Sequence, residues 1–365
     1  VERKIWRKWG LPLVGAVALA SLAFVVGTTA YRFIQFRGFF GMVSLHSNEE
    51  EDPVLNSLAK KLPPDKRLLL FGHIAADNAA DKWQPLWESD RSNPAFLQAY
   101  AEGYNSDRNE LPVDAIQQAE AIGSGNAYLP TLAAGSLARA SVEKESGASY
   151  RNKNPKAPEW VIKDPARFDL AYEALRKAAD LPSFTDHNIT LNQQRFRHLP
   201  PGRDFLERIS VVAYTAGLSS PKIGFSHLAS LLAAKASTMD APADIAEFRE
   251  CVRLWRWLVE RSAETSWTMI DGLITRALIQ IPLKNFRDTA ARLGLEDASK
   301  GFSLLDEQLA AEKEQRKARR KEDSISWWIE TKSSFMAGLQ MSVVTRQVNT
   351  PLMLTEEDFK TLPKP

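Results

Sequence analysis

Hydrophobic and polar positions along this chain follow two regimes. From Leu11 to Ala30 apolar residues run nearly unbroken, and no charged residue falls between Lys8 and Arg32. From Glu49 onward they recur instead at three- and four-residue spacing between Pro and Gly punctuation. The first regime predicts one membrane-spanning helix over residues 10–36, because about 20 apolar residues in a helix match a hydrocarbon core of roughly 30 Å. Trp6 and Trp9 before the run, with Tyr31 and Phe33 after it, suit the two interfaces. Leu11, Val14, Val17, Leu22, Phe24 and Val25 furnish its apolar body. Arg3, Lys4, Arg7 and Lys8 precede the run, against Arg32 and Arg37 close behind it. This bias predicts a cytoplasmic N-terminus and an extracytoplasmic body, periplasmic in a Gram-negative cell. A cleavable signal peptide is the rival reading, with small-residue sites at Ala18-Leu19-Ala20 and Thr28-Thr29-Ala30, but the run exceeds a normal signal core.

The second regime predicts helices almost throughout. Phe36 to Phe40 reads as an aromatic collar, and Ser47 to Pro53 as an acidic linker. Leu68 to Phe71 reads as a brief strand. Asn93-Pro94 and Asp164-Pro165 each place a capping side chain before Pro at the first helical position. The first opens a helix to about Tyr104; the second opens one with Phe168, Ala171, Tyr172, Leu175, Ala178 and Ala179 on its buried stripe. Between them, Pro112 opens a helix with Ile116, Ala119 and Ile122 on one face, and Asn126 to Val142 carries Leu129, Leu132, Ala133, Leu137 and Ala140. Glu143 to Pro158 reads as a long loop. Beyond Pro200-Pro201-Gly202 come helices over 205–216 and 223–237, then the longest signal, with Ile245, Phe248, Val252, Trp255, Leu258 and Val259 at helical spacing. Met269 to Ile281 is expected to end before Pro282. A last helix starts near Ser303, and Ile325 to Val344 is amphipathic. The fold expected is all-α, an N-terminal transmembrane helix followed by a helical body. Its divisions are 1–9 basic tail, 10–36 anchor, 37–66 linker, 67–199 and 200–345 helical regions, and 346–365 extended tail.

Ala171, Leu175, Ala178 and Pro182 resemble the second helix of tetratricopeptide-type repeats, with Pro one position early and Leu replacing the aromatic residue. Asn126-Ala127-Tyr128, followed by Leu132 and Ala133, resembles the first helix, separated from its partner by the polar insertion. The resemblance spans residues 94–182, without a regular period of roughly 34 residues. It implies a solenoid-like body that binds other proteins on an exposed groove.

Composition narrows the chemistry. The 365 residues carry a net charge of +2, which gives no electrostatic case for nucleic acid as a partner. Cys251 is the sole cysteine, so there is no internal disulfide; its helical context reads as a buried thiol. The five histidines, His46, His73, His187, His198 and His227, lack metal-ligand spacing. Asp186-His187 and His198 share one polar connection and are the histidines placed to meet. Gly224-Phe225-Ser226-His227 begins like a nucleophile elbow, but Leu228 stands where the second Gly is needed, and Ser226 reads as a helix-start residue. Gly123-Ser124-Gly125 is a turn without the lysine of a phosphate loop. No cofactor or metal is implied.

Two stretches carry function. Glu143-Lys144-Glu145-Ser146-Gly147 resembles the catalytic-glutamate region of lytic transglycosylases, with Glu145 as general acid on a glycan. Trp327-Trp328, with Ile325, Ile329 and Phe335, reads either as a core-facing stripe or as a docking face for a partner or the membrane interface, since adjacent helical positions do not share one side. Lys313 to Lys321 holds six basic residues and reads as a solvated helix. The sequence therefore points to a non-enzymatic, single-pass scaffold or accessory subunit of a membrane assembly, contacting membrane or extracytoplasmic proteins. A glycan-acting enzyme using Glu145 and a helical ligand-binding or sensor domain are the alternatives.

Overall fold

A computed structural model describes residues 60–123, 125–144, 160–198, 224–266 and 269–322. Their architecture is mostly helical. The helices are α1 (Pro64–Phe71), α2 (Ala79–Ser89), α3 (Pro94–Arg108), α4 (Ala115–Ile122), α5 (Tyr128–Ser141), α6 (Pro165–Ala179), α7 (Asn188–His198), α8 (Phe225–Ser237), α9 (Ile245–Glu264), α10 (Met269–Arg292) and α11 (Glu296–Glu322). The expected membrane run, the collar, the boundary at Pro200-Pro201-Gly202, the helix over 205–216, Glu145, and everything after Glu322 lie outside the described residues. Among the described residues no helix is long and apolar enough to cross a membrane.

The two Pro-capped starts form as their sequences dictate. The Asn93 side chain accepts from the Ala95 N–H at 3.0 Å, and Asp164 accepts from the Arg167 N–H at 3.0 Å. Each satisfies an amide that the helix leaves without an internal partner. α3 runs on past Tyr104 to Arg108 and stops where Asn109 takes the left-handed conformation, φ 56°.

Leu68–Phe71 is helical and belongs to α1, not to a strand. Pro64 at the first helical position and Asp65 in the first turn favour the helix, and four consecutive apolar residues carry no alternation to oppose them. The segment read as a loop, Glu143 to Pro158, begins inside a short strand and is followed by another, and residues 145–159 lie outside the described residues. Val142–Lys144 (β1) pairs antiparallel with Trp160–Ile162 (β2), Glu143 opposite Val161. Three-residue strands show too little alternation to be legible, and Glu143 and Lys163 make an ion pair beside them.

The stripe read on α6 is the buried one: Phe168, Ala171, Tyr172, Leu175 and Ala178 are all inside. That on α9 is likewise buried from Phe248 to Val259, with Cys251 and Leu254 added. On α5 the expected face is corrected. Ala140 is exposed, and Tyr128, Thr131, Ala134, Gly135, Ser136 and Ala138 are buried beside Leu129 and Leu132. α5 is covered by both α6 and α8, so more than one face goes inside. Gly135 makes the second contact feasible: a Cβ there would stand 2.8 Å from the Gly224 carbonyl at the start of α8. One apolar cluster extends from Trp87 to Leu305, so helices on both sides of residues 200–202 share a core.

The centre of that core is aromatic. Trp255 lies 5.3 Å from Phe286 and 6.0 Å from Phe302, ring centre to ring centre, and Phe248 stands edge-on to Phe286 at 5.9 Å. α10 does not end before Pro282; it continues ten residues further, to Arg292. Pro282 has no N–H to give the Leu278 carbonyl one turn earlier, the usual reason a helix stops. Here the buried Trp255 indole N–H donates to that carbonyl at 2.9 Å and replaces the missing bond. α11 begins at Glu296, about two turns ahead of Ser303, after a turn in which Gly294 has φ 73°.

Trp255→Phe keeps an aromatic ring but removes this donor, leaving the Leu278 carbonyl buried without it. The expected loss in urea unfolding is about 2 kcal/mol. In a Pro282→Ala background the restored amide supplies the bond, and the same substitution is expected to cost about 1 kcal/mol less. A double-mutant cycle with no coupling would refute the compensation.

Candidate functional site

The densest buried polar cluster in the described body gathers three places distant in sequence. Gln98 and Glu102 lie one turn apart on α3, Asn126 and Tyr128 stand at the entry to α5, and Asp186, His187 and Asn188 lead into α7. Two main-chain corners meet first: the Ala127 N–H bonds to the Ser183 carbonyl at 2.8 Å, and the Ser183 N–H to the Gly125 carbonyl at 3.1 Å. Gly125 has φ 85°, a left-handed conformation that glycine adopts without strain.

Backbone amides then orient the side-chain amides. Asn126 Oδ1 accepts from the N–H groups of Thr185 (2.9 Å) and Tyr128 (3.1 Å), so its Nδ2 points to the Thr185 carbonyl (3.0 Å) and to His187 Nε2 (3.3 Å). With a donor facing it, His187 Nε2 is the unprotonated nitrogen of a neutral ring. Burial lowers the pKa of His187, opposed by the charge of Asp186. Gln98 is set the same way: its Oε1 accepts from the His187 N–H at 2.9 Å, leaving Nε2 to donate to Glu102 at 2.9 Å and to Asp186 at 2.8 Å.

Glu102 is the point where these bonds converge. Its Oε1 accepts from Gln98, from the Tyr128 hydroxyl at 2.7 Å and from Asn188 Nδ2 at 2.8 Å, and Oε2 accepts from the same Asn188 nitrogen at 2.8 Å. All three donors are neutral. Burial of the carboxylate and the neighbouring Asp186 charge outweigh these bonds and raise the Glu102 pKa to about 7. A carboxyl poised there can hold or release a proton near neutrality. It does so while gripped by three side chains from three elements.

The remaining chemistry-bearing residues are dispersed. His198 is exposed at the far end of α7, about 15 Å of helix from His187, so the two do not meet. His73 is exposed, and half-buried His227 has its pKa lowered by burial and by Arg139. Ser226 sits in the first turn of α8. The Tyr172 hydroxyl meets Cys251 Sγ at 3.5 Å, and burial pushes the Cys251 thiol up to about 12. Among the described residues no group of three or more His, Cys, Asp or Glu side chains is arranged to hold a metal ion. Glu145, Trp327, Trp328, Phe335 and the anchor residues Trp6, Trp9, Leu11, Val14, Val17, Leu22, Phe24, Val25, Tyr31 and Phe33 lie outside the described residues. Gln98 and Glu102 escaped sequence reading; their only signal was two long polar side chains one turn apart between alanines.

Comparison with models of protein families, with curated proteins and with solved structures gives no match.

Glu102 binds its proton more tightly in the folded chain than when unfolded. Its contribution to stability is therefore complete below its ordinary pKa of 4.5 and is lost as pH rises toward about 7. Across that interval wild type is expected to lose on the order of 2–3 kcal/mol relative to Glu102→Gln, measured by urea unfolding. A difference that stays flat with pH would place the proton elsewhere. For Cys251, labelling by a thiol reagent at pH 8 is expected to be at least about 100-fold slower in the folded chain than in urea, since little thiolate forms and none is exposed.

Proposed function

We propose that this chain is a single-pass membrane-anchored helical scaffold, an accessory subunit that acts by protein–protein contact and performs no chemistry of its own. The observation carrying this reading is the 20-residue apolar run Leu11–Ala30, preceded by four basic residues and followed by a mostly helical body. The anchor supplies location; the body supplies contact area. The arrangement of Glu102 fits such a role, because the bonds from Tyr128 and Asn188 to its carboxylate tie α3 to the entries of α5 and α7.

A solenoid-like arrangement suits the same role. Consecutive helices pack as neighbours in the pairs α2 on α3, α5 on α6 and α10 on α11, while α8 crosses that order to pack on α5 and α10. On these helices stand solitary exposed apolar side chains, Leu170 on α6, Leu273 on α10 and Leu304 on α11. Partners are then other membrane or extracytoplasmic proteins, and the body lies on the extracytoplasmic side, periplasmic in a Gram-negative cell. Trp327 and Trp328 are the docking residues proposed from sequence.

The full chain expressed in a bacterial membrane is expected to stay in the pellet after alkaline extraction. Leu19→Arg with Phe24→Arg, each costing about 3 kcal/mol at a bilayer centre, is expected to release it. Mild-detergent purification of the anchored chain should carry stoichiometric membrane partners, lost in Trp327→Ala/Trp328→Ala. Release of the unaltered chain by alkali would refute the anchor, and a lone monomer would refute the scaffold.

A further inference from the structure

α7 has little apolar hold on the body. Of its buried residues, Asn188, Leu191, Asn192 and Arg195, only Leu191 is apolar. Leu191 packs with Ala95 and Ala99 of α3 in a small cluster edged by Leu69, Trp83 and Phe96, apart from the main core. Arg195 lies over the Trp83 ring at 4.4 Å and donates to the Leu69 carbonyl at 3.0 Å. With so little apolar area behind it, α7 depends on how its entry, residues 183–188, is fastened to α3.

The fastening runs through two buried carboxylates that share a donor. Gln98 Nε2 gives one bond to Glu102 and one to Asp186, so the acids flank a single amide group. Glu102 belongs to α3 and Asp186 to the entry. Asn188 can tie α7 to Glu102 in either protonation state. Its Nδ2 donates to the carboxylate, and after the amide turns over, its Oδ1 accepts from the acid. That bond does not choose between the states; the pair of acids does. An ionised Glu102 confronts Asp186 away from water, and a protonated one does not. Outward movement of 183–188 takes Asp186 away and admits water to Glu102, which removes both penalties at once.

Other ionisable groups on the surrounding elements are engaged elsewhere. On α2, Asp81 bonds Asn78 and Lys82 lies over Trp83. On α3 itself, Asp107 accepts from the Ala80 N–H and Arg108 lies over Tyr104. Ahead of α4, Asp114 bonds Gln118, and on α5 Arg139 bonds Asn109. His187, in the same entry, acts in the opposite sense. A proton on its Nε2 would meet the Asn126 donor, so acid loosens the corner at that point.

We propose that residues 183–188 and α7 form a pH-operated latch on α3, closed while Glu102 holds its proton and freed as that proton is lost. Opening uncovers Leu191 and the Trp83 ring beneath Arg195, both outside the main core. Glu102 binds its proton more tightly in the closed latch than in the open one. The open fraction therefore rises with pH from the ordinary value of 4.5 to about 7 and levels off above it. The latch needs no membrane anchor and stands apart from the function proposed above.

The test is amide hydrogen exchange at residues 188–198, read by mass spectrometry on the full chain in mild detergent from pH 5.5 to 7.5. At each pH the rate is divided by that of Glu102→Gln, which cancels the intrinsic pH dependence of exchange and the share of His187. The ratio is expected to rise about 20-fold across this range. Exchange in α7 is expected to stay faster than in α9, whose amides report unfolding of the core. Asp186→Asn removes the opposing charge but keeps an oxygen for Gln98 and Asn188, and its rise should be several-fold smaller. If Glu102→Gln fails to fold, the ratio to Asp186→Asn serves in its place and is expected to rise in the same direction. A flat ratio overturns the proposal by placing the proton elsewhere. Exchange in α7 no faster than in α9 overturns it too, since α7 would then leave only when the whole body unfolds.

Discussion

The bond from the Trp255 indole to the Leu278 carbonyl is the constraint on which the second half of the body turns. Pro282 withholds an amide in the middle of α10, and a helix that stopped there would place neither Phe286 nor the residues after it. With the carbonyl satisfied, α10 continues and brings Phe286 between Trp255 and Phe302. The same continuation carries Asn285 to the Ser237 hydroxyl at 2.8 Å and to the Trp160 indole at 3.3 Å. It also carries Arg292 to the carbonyls of Ser237 and Met239 at the end of α8. β2, α8, α9 and α11 therefore all depend on one donor from α9.

A comparable dependence governs the polar cluster, but in the opposite direction, from backbone outward. Main-chain N–H groups of Thr185 and His187 fix which way Asn126 and Gln98 face. Those two amides then present donors to His187 and to the two carboxylates. A side-chain amide whose oxygen is already claimed has no alternative orientation, so the cluster is specified as well as satisfied. Its cost is the burial of Glu102 beside Asp186, which the fold tolerates by letting Glu102 keep its proton near neutrality.

What could be read from sequence was local. Asn93-Pro94 and Asp164-Pro165 announce their helices because cap and first turn lie within four residues. The stripes of α6 and α9 were legible because each helix hides one face. α5 was not, because α6 and α8 cover it on separate sides and Gly135 acts by being absent from the space that α8 occupies. The continuation past Pro282 was invisible for a related reason: the compensating donor lies 27 residues earlier. Gln98 and Glu102 fit the pattern too, since their partners on other elements stand 26 to 89 positions away and nothing near them in sequence implies burial.

These ties decide which helices of the body are held together. Packing runs between consecutive helices, α2 on α3, α5 on α6 and α10 on α11, and also between α8 and its non-consecutive neighbours α5 and α10. The Glu102 cluster joins segments distant in sequence, tying α3 to the entries of α5 and α7, while the Trp255 bond joins the consecutive helices α9 and α10. The first holds together segments that the chain brings in from far apart, and the second keeps one helix continuous through its proline, so the two brace the body by different means.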